Sequence, residues 1–169
     1  ASNIQEWESL IDENTRFLYG EIPSNPVLSF FDIEKVARLA HSHGVPLIID
    51  STVATPALLR PLALGADIVV HSATKALTSS GFGTSGAIVA RHNISAKSDN
   101  EEMKRDFCNY LKRLPGRDYG ANLSPLQAVL TINDIRTLRM KIDVMSKNAM
   151  KVSQYLESHR NIEKVHYLG

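Results

Sequence analysis

Two runs of β-branched residues that stop abruptly at polar side chains constrain this chain most: Ile48-Ile49-Asp50-Ser51-Thr52 and Ile68-Val69-Val70-His71-Ser72-Ala73-Thr74-Lys75. A continuous apolar run of this length is what a parallel strand covered on both faces requires, and its polar end marks where the strand opens onto solvent or a ligand. The sequence predicts central strands over Val45–Asp50 and Asp67–His71, with Pro56, Pro61 and Gly65 breaking the segment between them. In open α/β sheets ligands sit outside the carboxyl ends of the strands. Asp50 and the Ser72/Thr74/Lys75 group are therefore expected to face one crevice.

An acid, two hydroxyls and a lysine converging on one ligand suit pyridoxal 5'-phosphate. A lysine holds the cofactor's aldehyde as a Schiff base, and hydroxyls with backbone N–H groups hold its phosphate. A carboxylate beside the ring nitrogen keeps that nitrogen protonated and makes the ring an electron sink. Asp50 fits the last role, Ser72 and Thr74 the phosphate role, and Lys75 the first. The competing readings are ordinary ones: Asp50 as a helix cap, Lys75 as an exposed loop lysine.

The Ser72-Ala73-Thr74-Lys75 tetrapeptide follows Pro61-Leu62-Ala63-Leu64-Gly65-Ala66-Asp67, and Glu21-Ile22-Pro23-Ser24-Asn25-Pro26 and Asp50-Ser51-Thr52 with Ala54-Thr55-Pro56 precede it. Together, from about Thr15 to Gly169, these resemble the Cys/Met-metabolism (trans-sulfuration) family of pyridoxal-phosphate enzymes. Cystathionine γ-synthase, the O-acyl-homoserine sulfhydrylases, methionine γ-lyase and the cystathionine lyases are its members. The resemblance implies the central part of a fold-type-I, aspartate-aminotransferase-like large domain: α/β, with a mostly parallel sheet flanked by helices. It implies that Lys75 carries the cofactor and then shuttles protons, that Asp50 pairs with the ring nitrogen, and that Ser72 and Thr74 bind the phosphate. Asn25 would bond the ring hydroxyl or the substrate carboxylate, and Thr52 would lie against the ring. The implied reaction is γ-replacement or γ-elimination on homoserine esters, cystathionine or methionine. Arg117-Asp118-Tyr119-Gly120 before Leu123-Ser124-Pro125 leans towards the synthases and sulfhydrylases. Ser51 stands where relatives commonly have Asn, and Ala76 where many have an aromatic residue, which leaves the substrate subclass open.

Family members are more than twice this long, so the resemblance implies a fragment, inactive alone, of an enzyme that is a homotetramer, a dimer of dimers. The expected division is residues 1–132 as part of the cofactor-binding large domain, 133–160 as a long linking helix, and 161–169 as the start of a small C-terminal domain. A non-catalytic module binding pyridoxal phosphate or another phosphorylated ligand is the alternative. A nucleotide-binding domain is disfavoured because no Gly-x-Gly-x-x-Gly turn opens a helix after a strand.

The chain's bulk properties agree with a small-molecule site. With 19 Lys+Arg against 18 Asp+Glu there is no basic excess to hold a nucleic acid. One cysteine, Cys108, rules out an intrachain disulfide and suggests a reducing, cytoplasmic setting. No apolar run is long enough to span a membrane. His41 and His43, two apart on a helix, face different ways and are not read as metal ligands; no metal is expected. Cys108 reads as a packed thiol, and His71 as a sheet residue without a catalytic role.

Element signals fill in the rest. A short amphipathic helix over Ser2–Asp12, with Ser2 its possible cap, precedes a strand over Thr15–Glu21 that the prolines after it stop. Asp32 caps a crossover helix whose buried stripe is Ile33, Val36, Ala37 and Ala40, and Gly44 ends it. Ser79–Gly86 reads as a loop re-entering the sheet at Ala87–Ala90. Asp99–Arg113 reads as a solvated helix, and Ser124-Pro125 as an N-cap and first turn. A seam of Ile135, Leu138, Ile142, Met145, Ala149, Val152 and Leu156 reads as one long helix, and Ile162–Tyr167 as a strand.

Overall fold

The structure, a computed structural model, describes residues 3–78, 81 and 83–168; Ser2, Ser79, Ser80 and Phe82, which entered the readings above, lie outside them. Among the described residues four strands form one sheet: β1 (Leu18–Glu21), β2 (Leu47–Asp50), β3 (Ile68–Ser72) and β4 (Gly86–Ala90). They lie in the order β1-β2-β3-β4, the first two pairings parallel and the last antiparallel. The sheet is thus mostly parallel and flanked by helices, as the sequence implies. β1 starts three residues later than expected, after a turn in which Asp12 accepts the Asn14 and Thr15 N–H groups.

Helix α1 (Ile4–Ser9) is capped by Asn3, whose side chain accepts the Gln5 N–H. The crossover helix α2 (Ile33–Ser42) begins where Asp32 Oδ1 accepts the Lys35 N–H at 3.1 Å. It ends at Gly44, whose φ of +68° costs a residue without a Cβ nothing. Its buried stripe is Ile33, Val36, Ala37 and Ala40, the four residues expected, and it packs on Leu18, Val45, Leu47 and Ile49. Trp7 and Phe31 close this core, ring centres 5.3 Å apart. The tilted contact lies against Gly20, where a Cβ would stand only 2.5 Å from the Phe31 ring.

Burial alternates along β2, with Leu47 and Ile49 buried and Ile48 and Asp50 only partly so. The run reads as covered on both faces; α2 packs on the face of Leu47 and Ile49, while Ile48 opposite is only partly covered beside the buried Ile68. On the other face Tyr19 and Ile88 stand half exposed.

Asp67, 1% exposed, pins the start of this sheet. Its N–H donates to the Leu47 carbonyl, and its Oδ2 accepts the Leu47 N–H, each at 2.9 Å. Its own carbonyl accepts the Arg91 N–H at 2.9 Å, and His41 Nε2 of α2 stands 2.7 Å from Oδ2.

Between β2 and β3 run the short α3 (Thr55–Leu58) and a 3₁₀ turn over Pro61–Leu64, stopped by Gly65 at φ +97°. After β4 come α4 (Glu101–Arg105), α5 (Phe107–Arg113), α6 (Pro115–Tyr119), α7 (Pro125–Ile135) and α8 (Leu138–Glu157). The single helix expected over Asp99–Arg113 is two, because Asp106 leaves helical geometry and caps α5 through the Asn109 N–H. Ser124 caps α7, with Pro125 in its first turn as expected. The long apolar seam is likewise shared by two helices. Ile135 closes α7, and Thr137 turns its N–H and hydroxyl back to the Asp134 carbonyl before α8 begins. Ile162–Tyr167 forms no strand, since no neighbour among the described residues offers it a ladder; the Tyr167 hydroxyl reaches back to the Ser146 carbonyl instead.

Asp67→Ala leaves the buried Leu47 N–H without its acceptor and removes the partner of His41. A loss of about 2–4 kcal/mol is expected, read as a lower urea midpoint with an unchanged slope.

Candidate functional site

β2 delivers Asp50 and β3 delivers Ser72 to the same end of the sheet. In the parallel register Asp50 faces Val70, so the polar end of β3 projects just beyond it. The turn after Asp50 folds back on the carboxylate: the Thr52 N–H donates to Asp50 Oδ1 at 2.9 Å, the local bond Asp favours after a strand. Thr52 Oγ1 in turn accepts the Ser72 N–H at 2.7 Å. Asp50, Thr52 and Ser72 therefore form one hydrogen-bonded chain across two strand ends.

Past Ser72 the backbone turns at once. The Lys75 N–H donates to the Ser72 carbonyl at 3.2 Å and the Thr78 N–H to Ala73 at 2.8 Å, leading into a 3₁₀ turn over Ala76–Thr78. Ala73 and Leu77 are buried against Leu138 and Ile142 of α8, and the Thr78 hydroxyl lies 2.9 Å from that of Thr131. Anchored on that side, the turn leaves Lys75 exposed on the other.

Thr74 is engaged with the loop before β4: its hydroxyl donates to the Ser85 carbonyl at 3.1 Å and accepts the Ser85 N–H at 2.9 Å. Asn25 lies beyond the end of β1, exposed, its N–H donating to Glu21 Oε2 at 3.2 Å. Glu21 pairs with Asp50 across the ladder, so Asn25 belongs to the same end of the sheet. Of the six residues read from the sequence, Asp50, Thr52 and Ser72 are hydrogen-bonded together. Thr74 and Lys75 occupy the adjoining turn, and Asn25 stands on the neighbouring strand's exit.

Two side chains escaped the sequence reading. The Tyr19 hydroxyl donates to Asp50 Oδ2 at 3.3 Å, and Glu21 sits directly opposite Asp50. Period-two alternation places Tyr19 and Glu21 on one face of β1, but only the register brings that face to Asp50. Burial, then the Asp50 charge and hydrogen bond, hold the Tyr19 hydroxyl above its ordinary pKa.

His71 is buried and its Nδ1 lies 3.1 Å from the Ser51 carbonyl. Facing an acceptor, Nδ1 must carry the proton, which leaves Nε2 the unprotonated nitrogen of a neutral ring. Cys108 is partly buried, its thiol 3.8 Å from the Ile88 carbonyl. Among the described residues no three His, Cys, Asp or Glu side chains gather as metal ligands, and His41 is occupied by Asp67.

A sequence model of the family described as "Cys/Met metabolism PLP-dependent enzyme" matches residues 1–169, the whole chain. The chain belongs to this Cys/Met-metabolism family. It is 36% identical over 168 residues to an O-succinylhomoserine sulfhydrylase of Pseudomonas aeruginosa, covering 99% of this chain and 38% of that protein. It is 38% identical over 167 residues to an L-methionine γ-lyase of Porphyromonas gingivalis, covering 98% and 39%. Among solved structures it is similar to a Campylobacter jejuni protein assigned as an O-acetylhomoserine (thiol)-lyase, with TM-score 0.88, 32% identity, and 98% and 46% of the two chains covered. That structure carries a pyridoxyl-lysine monophosphate. A cystathionine γ-lyase of Lactobacillus plantarum complexed with L-serine superposes with TM-score 0.83 at 32% identity, covering 98% and 40%. The chain thus spans under half the length of these relatives. The family is pyridoxal-phosphate dependent, and the carboxylate, hydroxyls and amine here are groups of the kind that cofactor needs.

Burial lowers the His71 pKa, against weaker opposing effects of the Ser51 carbonyl and the Asp50 charge. The unfolded chain therefore takes up this proton more readily, and stability falls as pH drops below about 6.5 towards the folded-state value. Thermal melts between about pH 7.5 and about pH 5.5 are expected to show a steeper acid loss for the wild type than for His71→Asn.

Proposed function

We propose that this chain is the cofactor-holding part of a pyridoxal-phosphate enzyme of sulfur amino-acid metabolism, acting by γ-replacement or γ-elimination. One observation carries the reading: the hydrogen-bonded chain from Asp50 through Thr52 to Ser72, which sets an acid and a Ser-Ala-Thr-Lys turn at one end of a parallel sheet. When bound, pyridoxal phosphate supplies an electron sink for charge developing at the substrate's α-carbon.

The residues divide the remaining work. Asp50, held through Oδ1 by Thr52, meets the ring nitrogen with its carboxylate. Ser72 offers its hydroxyl to the phosphate; Thr74 joins it by turning its hydroxyl proton away from the Ser85 carbonyl. The Lys75 amine would hold the cofactor's aldehyde and would serve as the base that moves the α-proton at Nζ. Its exposure, opposite the anchored Ala73 and Leu77, supports that freedom. Asn25 would bond the ring hydroxyl or the substrate carboxylate, and Thr52 would lie against the ring.

Residues 1–132 form part of the large domain, 133–160 lead out of it, and 161–169 begin a further unit. Arg117–Gly120 ahead of Leu123-Ser124-Pro125 supports γ-replacement over γ-elimination, and the relatives include both sulfhydrylases and γ-lyases. A homo-oligomer in a cytoplasmic setting with an amino-acid substrate completes the proposal. Within the described residues no helix is long and apolar enough to cross a membrane. A binding module without turnover is not favoured, because the relatives matched across the whole chain are named as enzymes.

Incubation with pyridoxal phosphate, borohydride reduction and peptide mass mapping test this. One pyridoxyl adduct, on the peptide bearing Lys75, is expected, and it disappears in Lys75→Ala. Labelling spread over surface lysines, or undiminished in the variant, refutes the assignment.

A further inference from the structure

The Asp50 carboxylate is met on its two oxygens by donors from two different parts of the chain. The Thr52 N–H, from its own turn, reaches Oδ1 at 2.9 Å. The Tyr19 hydroxyl, from β1, reaches Oδ2 at 3.3 Å. A carboxylate held at one oxygen can still swing about that contact, since the second torsion of Asp is broad. A donor on the other oxygen removes the swing. Each oxygen accepts two hydrogen bonds, so the Tyr19 contact leaves Oδ2 a lone pair for a further N–H.

The origin of the donor matters as much as its distance. Tyr19 pairs with Ile48 in the parallel ladder, two residues before Glu21 pairs with Asp50, so Tyr19 and Asp50 share a face. Its ring has few torsions and grows from a strand rather than a loop, so the hydroxyl is delivered with little conformational freedom. Glu21, directly opposite Asp50, brings a like charge to the same side, and like charges in that relation repel. The Glu21 carboxylate is turned to the Asn25 N–H, and the Tyr19 hydroxyl sets a donor beside Asp50 on the side where Glu21 would otherwise be its only polar neighbour from β1.

We infer that Tyr19 is a positioning residue for the cofactor-binding acid, its hydroxyl fixing the Asp50 carboxylate in the plane that meets the ring nitrogen. This rests on the function proposed above. Tyr19 touches neither substrate nor cofactor; it acts through Asp50. Because burial and the nearby Asp50 and Glu21 charges raise its pKa, the hydroxyl remains a donor throughout the neutral range.

Two measurements on the full chain test the inference. In the first, without cofactor, the Tyr19 ring-carbon resonance is followed by NMR against pH in the wild type and in Asp50→Asn. The wild-type hydroxyl should titrate above the usual tyrosine value of about 10, and Asp50→Asn should bring it part of the way back, burial accounting for the remainder. An identical titration in both proteins overturns the contact itself. In the second, pyridoxal phosphate is titrated into the wild type and Tyr19→Phe, which keeps the ring and its packing. Affinity should weaken about tenfold, and the visible band of the bound cofactor should shift, with an unchanged thermal melt in its absence. Equal affinity and an unshifted band in Tyr19→Phe overturn the inference while leaving the proposed function standing. A wild type that takes up no pyridoxal phosphate overturns both.

Discussion

A single buried carboxylate holds the sheet in the register on which the site depends. Asp67 uses its N–H and Oδ2 to exchange two hydrogen bonds with Leu47, its carbonyl to engage Arg91, and the same Oδ2 to meet His41. One residue thereby ties the starts of β2 and β3 to the exit of β4 and to the last turn of α2. A slip of one residue in a ladder sends every side chain to the opposite face. Here it would carry Ile48 and Asp50 into the apolar layer beneath α2 and bring Leu47 and Ile49 out in their place. The core would then bury an unpaired charge, a cost of several kcal/mol.

With the register set at one end, the other end assembles by short-range bonds. Asp50 folds its own turn around Oδ1, Thr52 hands on to the Ser72 N–H, and Ser72 begins the turn that exposes Lys75. None of these contacts alone spans the site. They work in series because β2 and β3 are adjacent and parallel, so that two polar strand ends finish side by side. The Thr74 hydroxyl marks a competition in the same turn. It ties the Ser-Ala-Thr-Lys segment to Ser85 at the start of β4, and a hydroxyl proton donated there is not also available to a phosphate oxygen.

Where the structure departs from the sequence pattern, the cause is a partner the pattern cannot name. The β-branched run of β2 reads as covered on two faces, yet Ile48 is only partly buried, because α2 packs on the opposite face, that of Leu47 and Ile49. The apolar seam beginning at Ile135 reads as one helix, yet it breaks at Thr137, where the Asp134 carbonyl takes bonds from the Thr137 N–H and hydroxyl. Leu138 and Ile142 are buried against the turn that carries Lys75, while Met145 and Val152 of the same seam stand exposed. Periodicity reports that a face is apolar, not that something covers it.

The sequence by itself determined most of the elements and the residue types offered at the strand ends. Caps at Asp32 and Ser124, the stop at Gly44, the stripe on α2, the two strand ends and the identities of Asp50, Ser72, Thr74 and Lys75 are all local signals, set by propensity and period over a few residues. Tertiary structure decided which of them meet. Tyr19 is an unremarkable strand tyrosine until the β1–β2 register puts its hydroxyl against Asp50. Asp67 is one more acid until His41, 26 residues away, closes on it. Such contacts join residues far apart in the chain, and their geometry follows from strand order and register, which pairwise bonding across the whole sheet fixes and no short window of sequence contains.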